Sequence, residues 1–337
     1  MKRVGNLYEK IYDLKNLELA FYKAGRGKKE KESYQLYSSQ LNTNLKNLQN
    51  DLMNEEYNIG KYHFFTIYDP KKRLICAAPF NERVLHHAIM NVCHTSFEKK
   101  QIYDSYATRP GKGTFSALKR AHIFHKRNLW FLKLDFRKYF DSIDHKVLKK
   151  QMRDIFKDKK LLALLDTIID SYSFAEGKGV PIGNLTSQYF ANHYLTKLDH
   201  LVKEKFKLDY VRYMDDMILW SENKEKLLEY GYEFSSYARD ELQLTLKPFC
   251  LNRTNKGCPF LGFLLYPDRI NLALRSRTRF IKKIRMYDLN LKSKIWSETE
   301  YQNHVLPLLS FVKHANSIEF RKQILKRIDE KNVIVNH

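Results

Sequence analysis

Tyr210-Val211-Arg212-Tyr213-Met214-Asp215-Asp216-Met217-Ile218-Leu219-Trp220 places two adjacent acids between two apolar runs. The runs read as strands, and the acids as the tip of a β-hairpin that joins them. A tight turn lifts its side chains to the rim of a sheet while the strands bury at least one face. Two like charges held there repel, and each favours a counter-ion over its neighbour. A divalent cation resolves that conflict. An ordinary solvated Asp-Asp turn is the bland reading of the same residues.

A third carboxylate in a matching context shifts the balance. Leu129-Trp130-Phe131-Leu132-Lys133-Leu134-Asp135-Phe136 reads as a strand running into an acid, and Tyr139 to His145 as a turn into a helix with acids at its N-terminal end, where the helix dipole favours them. Asp135, at a strand end, is expected to approach Asp215 and Asp216. Hard carboxylate oxygens suit Mg²⁺, with Mn²⁺ as a substitute. Two such ions about 3.5–4 Å apart activate an attacking oxygen and stabilise a leaving one. That is the chemistry of nucleotidyl transfer.

The rest of the 337-residue chain suits a polyanionic substrate. Sixty Lys and Arg against thirty-eight Asp and Glu leave a formal charge of +22, which attracts nucleic acid in a salt-dependent way. Twenty-two tyrosines and twenty-one phenylalanines supply stacking surfaces as well as core. Cys76, Cys93, Cys250 and Cys258 lack Cys-x-x-Cys spacing and read as reduced thiols. His86, His87, His122 and His125 read as helix-face residues rather than metal ligands. No apolar run is long enough to span a bilayer and the N-terminus lacks a signal core, so a cytoplasmic protein without a membrane partner is expected.

Along the chain, Leu7, Ile11, Leu14 and Phe21 form one apolar stripe and Leu41, Leu45, Leu48 and Leu52 another, predicting two helices joined by a flexible basic loop, Gly25 to Lys31. Phe64 to Tyr68 and Arg73 to Ile75 read as strands around Asp69-Pro70-Lys71-Lys72. A helix carries Val84 to Val92, and another starts near Thr114. Two basic helices run to about Ser171, and Asn184 or Thr186 caps a helix through Leu198. An acidic-basic helix follows the hairpin, and Phe260-Leu261-Gly262-Phe263 reads as one strand. From Arg275 the chain turns helical and basic.

The order of these blocks resembles the reverse transcriptases over nearly the whole chain. The resemblance rests on Pro70-Lys71-Lys72-Arg73, Arg109-Pro110-Gly111-Lys112-Gly113-Thr114, Asp135 to His145, Gly183-Asn184-Leu185-Thr186-Ser187-Gln188, Tyr213 to Asp216, and Phe260-Leu261-Gly262. It implies an α+β right-hand polymerase fold: N-terminal helices and fingers over 1–128, a palm of antiparallel sheet backed by helices over 129–268 with a helical insertion at about 146–172, and a helical basic thumb over 269–337. RNase H, endonuclease and maturase extensions are not expected within this length. Group II intron and retroviral enzymes usually have Gln-Gly-x-x-x-Ser-Pro in the fourth block, whereas this chain has Ile182 before Gly183 and Gln188 after Ser187. In that respect it resembles the reverse transcriptases of diversity-generating retroelements. Those enzymes copy a template-repeat RNA into cDNA with errors at adenines, for targeted diversification of a gene, and typically act with a small basic pentameric accessory variability protein.

Matching positions carry the expected roles. Asp135, Asp215 and Asp216 are the metal-binding catalytic carboxylates, and the carbonyl of Phe136 adds a ligand. Lys72 and Arg73 hold the incoming dNTP triphosphate. Phe140 is the gate against a ribose 2′-OH, with a core phenylalanine as its bland reading. Ile182, Gly183, Gln188 and Lys247 complete the nucleotide pocket. Arg83, Arg109, Tyr213, Met214, Arg275, Arg277, Arg279, Lys282 and Lys283 contact template RNA and the RNA–cDNA duplex. An isoleucine at 182 offers the nucleotide only apolar contact, where glutamine would hydrogen-bond it, and this is expected to help tolerate mispairing. The competing expectations are a reverse transcriptase of phage defence, a group II intron-like enzyme, and a catalytically silent RNA-binding scaffold.

Overall fold

The computed structural model describes residues 2–68, 72–324 and 326, which form two compact units. The first comprises Met1–Gly111, Asp135–Lys207 and Tyr232–Pro248; the second comprises Lys112–Leu134, Leu208–Gly231 and Phe249–His337. Residues 69–71, and with them Pro70 and Lys71 of the first block, lie outside the described residues.

The second unit is built on a four-stranded antiparallel sheet. Its strands are β3 (Trp130–Leu134), β4 (Asp209–Tyr213), β5 (Asp216–Ser221) and β6 (Cys250–Arg253), in the order β4-β5-β3-β6; β1 (His63–Ile67) and β2 (Arg73–Ala77) belong to the first unit. Central β5 buries Met217, Ile218, Leu219 and Trp220 completely, so both of its faces are covered. Helix Thr114–Arg127 contributes to that cover through Phe124, whose ring lies 5.7 Å from Trp220. Buried His125 accepts a hydrogen bond from Trp220 Nε1 at 3.1 Å and lies 2.8 Å, through Nε2, from the carbonyl of Thr254. Those partners fix a neutral tautomer with the proton on Nε2.

A smaller sheet, β7 (Cys258–Phe260), β8 (Phe263–Leu265) and β9 (Ile270–Leu272), leads into helices Leu274–Lys292 and Glu298–Val312. The single strand expected at Phe260 to Phe263 is instead a hairpin. Leu261 and Gly262 adopt φ of 49° and 88°, as a two-residue hairpin turn demands, and Phe260 pairs directly with Phe263.

In the first unit, β1 (His63–Ile67) and β2 (Arg73–Ala77) form an antiparallel ribbon, and helices Phe80–Glu98, His145–Ile155, Lys159–Asp170 and Leu185–Tyr194 provide much of the core. The N-terminal stripe does not form one helix. Asp13 accepts from the amides of Lys15 and Asn16 and so starts a new helix, Leu14–Ala24, after the short Tyr8–Tyr12, leaving Leu14 exposed. The Gly25–Lys31 stretch is not slack. Gly25 donates to the Phe21 carbonyl at 2.9 Å, Lys28 to Gly25 at 2.9 Å and Lys31 to Lys28 at 3.0 Å, a succession of turns.

Two further expectations are corrected. Helix Lys159–Asp170 is apolar on its packed side, where Leu161, Leu164, Leu165, Ile168 and Ile169 are buried, and its lysines are confined to the first turn. Asn184 occupies the N-cap position, but its side chain accepts from the Ala78 amide, so it ties two segments instead of capping; that helix is interrupted at Leu195 and resumes as Thr196–His200, which contains Leu198. Cys76, Cys93, Cys250 and Cys258 are all free thiols, as expected. Among the described residues, no helix is long and apolar enough to cross a membrane.

Burial pushes the pKa of His125 down to about 4. A histidine whose folded pKa lies below its unfolded value stabilises the fold fully above the unfolded value, near 6.5, and loses that contribution as pH falls towards 4. Thermal melts of the native protein should therefore fall steeply between pH 6.5 and 4. His125→Asn should flatten that fall, with a contribution on the order of 3 kcal/mol. An equally steep acid limb in the variant would show that His125 is not its source.

Candidate active site

In the second unit, Tyr213 pairs with Asp216, which leaves Met214 and Asp215 as a two-residue hairpin loop. Met214 adopts φ 58°, a left-handed conformation that non-glycine residues adopt at a cost and that concentrates at functional turns. Arg212, fully buried beneath the loop, helps hold it by donating from Nη1 to the Met214 carbonyl at 3.2 Å. Tyr213 accepts from the Thr114 hydroxyl at 3.3 Å. Both acids are half-buried, so neither is the freely solvated turn residue of the bland reading.

β3 and β5 run antiparallel, with Lys133 opposite Ile218 and Leu134 opposite Met217. Lys133 is the residue the sequence reading missed. Its ammonium lies 3.0 Å from Asp216 Oδ1 and donates to the Pro259 carbonyl at 2.6 Å, bridging the hairpin acid to β7. The available signal was a lysine inside an otherwise apolar strand, two residues before Asp135.

In the first unit, Asp135 follows directly on β3 in sequence. Its carbonyl accepts from the Lys247 amide at 2.8 Å, and its carboxylate pairs with the Lys247 ammonium. Phe136 is core: its ring is buried and stacked with Tyr139 and Phe234. Phe140 is half-buried, packs edge-on to Tyr139, and accepts from the Val180 amide through its carbonyl at 2.9 Å.

The Ile182 carbonyl accepts from the Cys76 amide at 2.8 Å, so the fourth block rests on β2. Gly183 has φ 125°, and a Cβ there would lie 2.9 Å from the Ile75 side chain and 3.1 Å from the Cys76 carbonyl, so only glycine fits. Gly183, Gln188 and Arg83 line one cavity of about 320 Å³ together with Lys28, His86 and His87. Lys72 and Arg73 are exposed, with Arg73 at the start of β2 opposite Ile67. Arg109 is largely occupied within its own unit: it forks onto Glu98 and donates to the carbonyls of Ile102 and Ser105, each at 2.6 Å, an anchoring arrangement.

Arg275, Arg279, Lys282 and Lys283 fall on one side of helix Leu274–Lys292 by helical spacing. Arg277 points elsewhere, with its guanidinium 4.9 Å from the Phe320 ring centroid.

The family description "Reverse transcriptase (RNA-dependent DNA polymerase)" matches residues 68–265, more than half of the chain. The chain belongs to the reverse transcriptase family. Membership carries the right-hand polymerase fold expected from the sequence, and reverse transcriptase domains generally use divalent metal ions. The hairpin carboxylates are hard oxygen donors of the kind such ions take; among the described residues, no group of three or more His, Cys, Asp or Glu is gathered to hold one.

Similar proteins include the group II intron-encoded protein LtrA of Lactococcus lactis subsp. cremoris, 26% identical over 41% of this chain and 24% of that protein. Protein YkfC of Escherichia coli is 26% identical over 42% of this reverse transcriptase and 41% of its own length. Nuclear intron maturase 1, mitochondrial, of Arabidopsis thaliana is 26% identical over 26% and 12%. The matched stretches thus span between 12% and 41% of these relatives' lengths. Among solved structures, telomerase from Candida albicans in complex with a fragment of telomeric RNA aligns with a TM-score of 0.49 and 13% identity, over 68% of this chain and 50% of that one.

Lys133 and Asp216 are both mostly buried, with side-chain exposures of 21% and 28%. Lys133→Met should therefore leave Asp216 without this counter-charge and lower stability by about 1–3 kcal/mol, measured by urea unfolding. A loss below about 0.5 kcal/mol would mean that the bridge contributes little to holding the hairpin.

Proposed function

We propose that this reverse transcriptase performs RNA-templated DNA synthesis, with Asp135, Asp215 and Asp216 as the catalytic carboxylates. The observation that carries the reading is the half-buried Asp215–Asp216 pair on a two-residue turn with Met214 at positive φ, inside a chain that matches the family from 68 to 265. Asp135 supports it by sequence position: it follows Leu134, and Leu134 pairs with Met217, the residue after Asp216. The three carboxylates, with the Phe136 carbonyl, would hold Mg²⁺, which when bound lowers the pKa of the attacking primer hydroxyl and neutralises charge on the triphosphate. Lys72 and Arg73 grip the triphosphate as exposed cations, and Lys247 sits beside Asp135 ready to balance charge. Phe140 forms the wall against a 2′-OH. Arg275, Arg279, Lys282 and Lys283 track the phosphates of the RNA–cDNA duplex. Fingers, palm and thumb are assigned to 1–128, 129–268 and 269–337.

Asp215→Ala and Asp216→Ala should each cut Mg²⁺-dependent primer extension on an RNA template by at least about 100-fold while leaving RNA affinity within twofold. Extension within tenfold of wild type would remove these acids from the chemistry.

We further propose the diversity-generating retroelement role: error-prone copying at adenines of a template-repeat RNA, with a small basic pentameric accessory protein as partner. Ile182-Gly183 and Gln188 support it, because the apolar residue before the glycine gives the nucleotide no hydrogen bond. The intron-encoded relatives favour a second reading, a group II intron-type enzyme. Ile182→Gln should lower adenine-directed errors in sequenced extension products by about tenfold, the effect of roughly 1.4 kcal/mol of discrimination. An unchanged error spectrum would take Ile182 out of the fidelity argument, and absence of a template–variable repeat pair beside the gene would favour the intron-type reading.

A further inference from the structure

The cavity of about 320 Å³ in the first unit collects hydrogen-bond donors with few acids to oppose them. Lys28, Arg83, His86, His87, Asn184 and Gln188 all line it. Lys28 reaches it from the folded N-terminal turns described above. Arg83 donates from Nε to the Ala78 carbonyl at 2.7 Å, and Asn184 Oδ1 accepts from the Ala78 amide at 3.3 Å. One peptide segment thus fixes both donors in a common frame. Asn184 is 3% exposed, and its Nδ2 has no hydrogen-bond acceptor among the described residues.

An acid on the same helix, Glu82, faces cavity-lining His86 with one oxygen that has no hydrogen-bond partner among the described residues. Glu82 accepts from the Gly60 amide at 3.0 Å and lies 3.5 Å from His86 Nε2. Among the described residues, no carboxylate pairs with Lys28 or Arg83. Burial lowers the pKa of Lys28, and the charge of Arg83 lowers it further; burial alone lowers that of Arg83. Burial, with Lys28 and Lys23 nearby, pushes His87 down to about 4, so it is neutral at physiological pH and adds nothing to the charge of Lys28 and Arg83. Two partly desolvated cations beside an unmatched buried amide are unfavourable alone and favourable around an anion.

We propose that this cavity is a phosphate seat, in which Lys28, Arg83 and the Asn184 amide receive one phosphate of a bound polynucleotide or nucleotide. It deepens the template-contact reading of Arg83, on which it rests, and adds Lys28 and Asn184 as its partners. Guanidinium and ammonium groups bind phosphate through charge-assisted hydrogen bonds, and a buried amide adds direction.

The experiment is read by binding rather than extension, so it stays interpretable if the carboxylate reading fails. Fluorescence anisotropy with a short single-stranded RNA is measured across salt concentrations for wild type, Lys28→Ala and Arg83→Ala, alongside dNTP affinity. Thermal melts in inorganic phosphate are compared with melts in chloride at equal ionic strength. If the seat takes a strand phosphate, Lys28→Ala lowers the salt slope by about 0.7 and weakens RNA binding about fivefold at 0.1 M salt. If it takes a free triphosphate, dNTP affinity falls by a similar factor and RNA affinity is unchanged. In both cases phosphate raises the wild-type Tm more than chloride does, and the variants lose that difference. Unchanged RNA and dNTP affinities, with no specific phosphate effect on Tm, would overturn the proposal.

Discussion

The turn at Met214 and Asp215 rests on a buried positive charge and on the strand pairing that closes it. The Arg212 guanidinium donates to the Met214 carbonyl and, with the Tyr213–Asp216 pair, supports a methionine at φ 58° beside the two acids. That arginine lies on β4, an edge strand of the sheet, against which helix Thr114–Arg127 packs, and beside it the side chains of β5 from Met217 to Trp220 are shut away from water. A buried strand backs the strained turn, and the turn presents acids that solvent only half covers. Lys133 completes the balance by supplying one positive charge where two negatives adjoin.

The hairpin was legible from sequence because apolar runs around a polar pair have few other solutions, and the observed pairing of Tyr213 with Asp216 follows that pattern. Helices with strong apolar stripes, such as Leu41–Met53, were legible for the same reason. The failures share a cause, which is competition from a local polar group or turn. Asp13 captured two amides and split the first stripe. Asn184 sat at a capping position and spent its oxygen on Ala78, 106 residues away in sequence. Leu261-Gly262 turned an apolar run back on itself, since four apolar residues in a row do not disclose which of them has positive φ.

Site residues divide along similar lines. Gly183 is marked in the sequence only by its family block, as part of the nucleotide pocket; its need for glycine comes from the crowding by Ile75 and Cys76. Arg109 was read as a nucleic-acid contact because arginine near a Pro-Gly break matches the family block, yet it grips Glu98 and two carbonyls. Charge in a sequence does not say whether its partner lies within the protein or outside it. Lys28 shows the converse, since a residue in a stretch that reads as slack linker lines a defined cavity.

The placement of Lys133 has a mechanical corollary. One ammonium touches both a carboxylate of the acidic hairpin and the carbonyl of Pro259, and Pro259 belongs to the strand that runs into the Leu261–Gly262 turn and, two strands later, the basic helix from Leu274. A displacement of that strand by even half an ångström would alter the field felt by Asp216, since the energy between close charges changes steeply with separation at low dielectric. The ammonium therefore ties the electrostatic environment of the acid to the position of the β7 backbone.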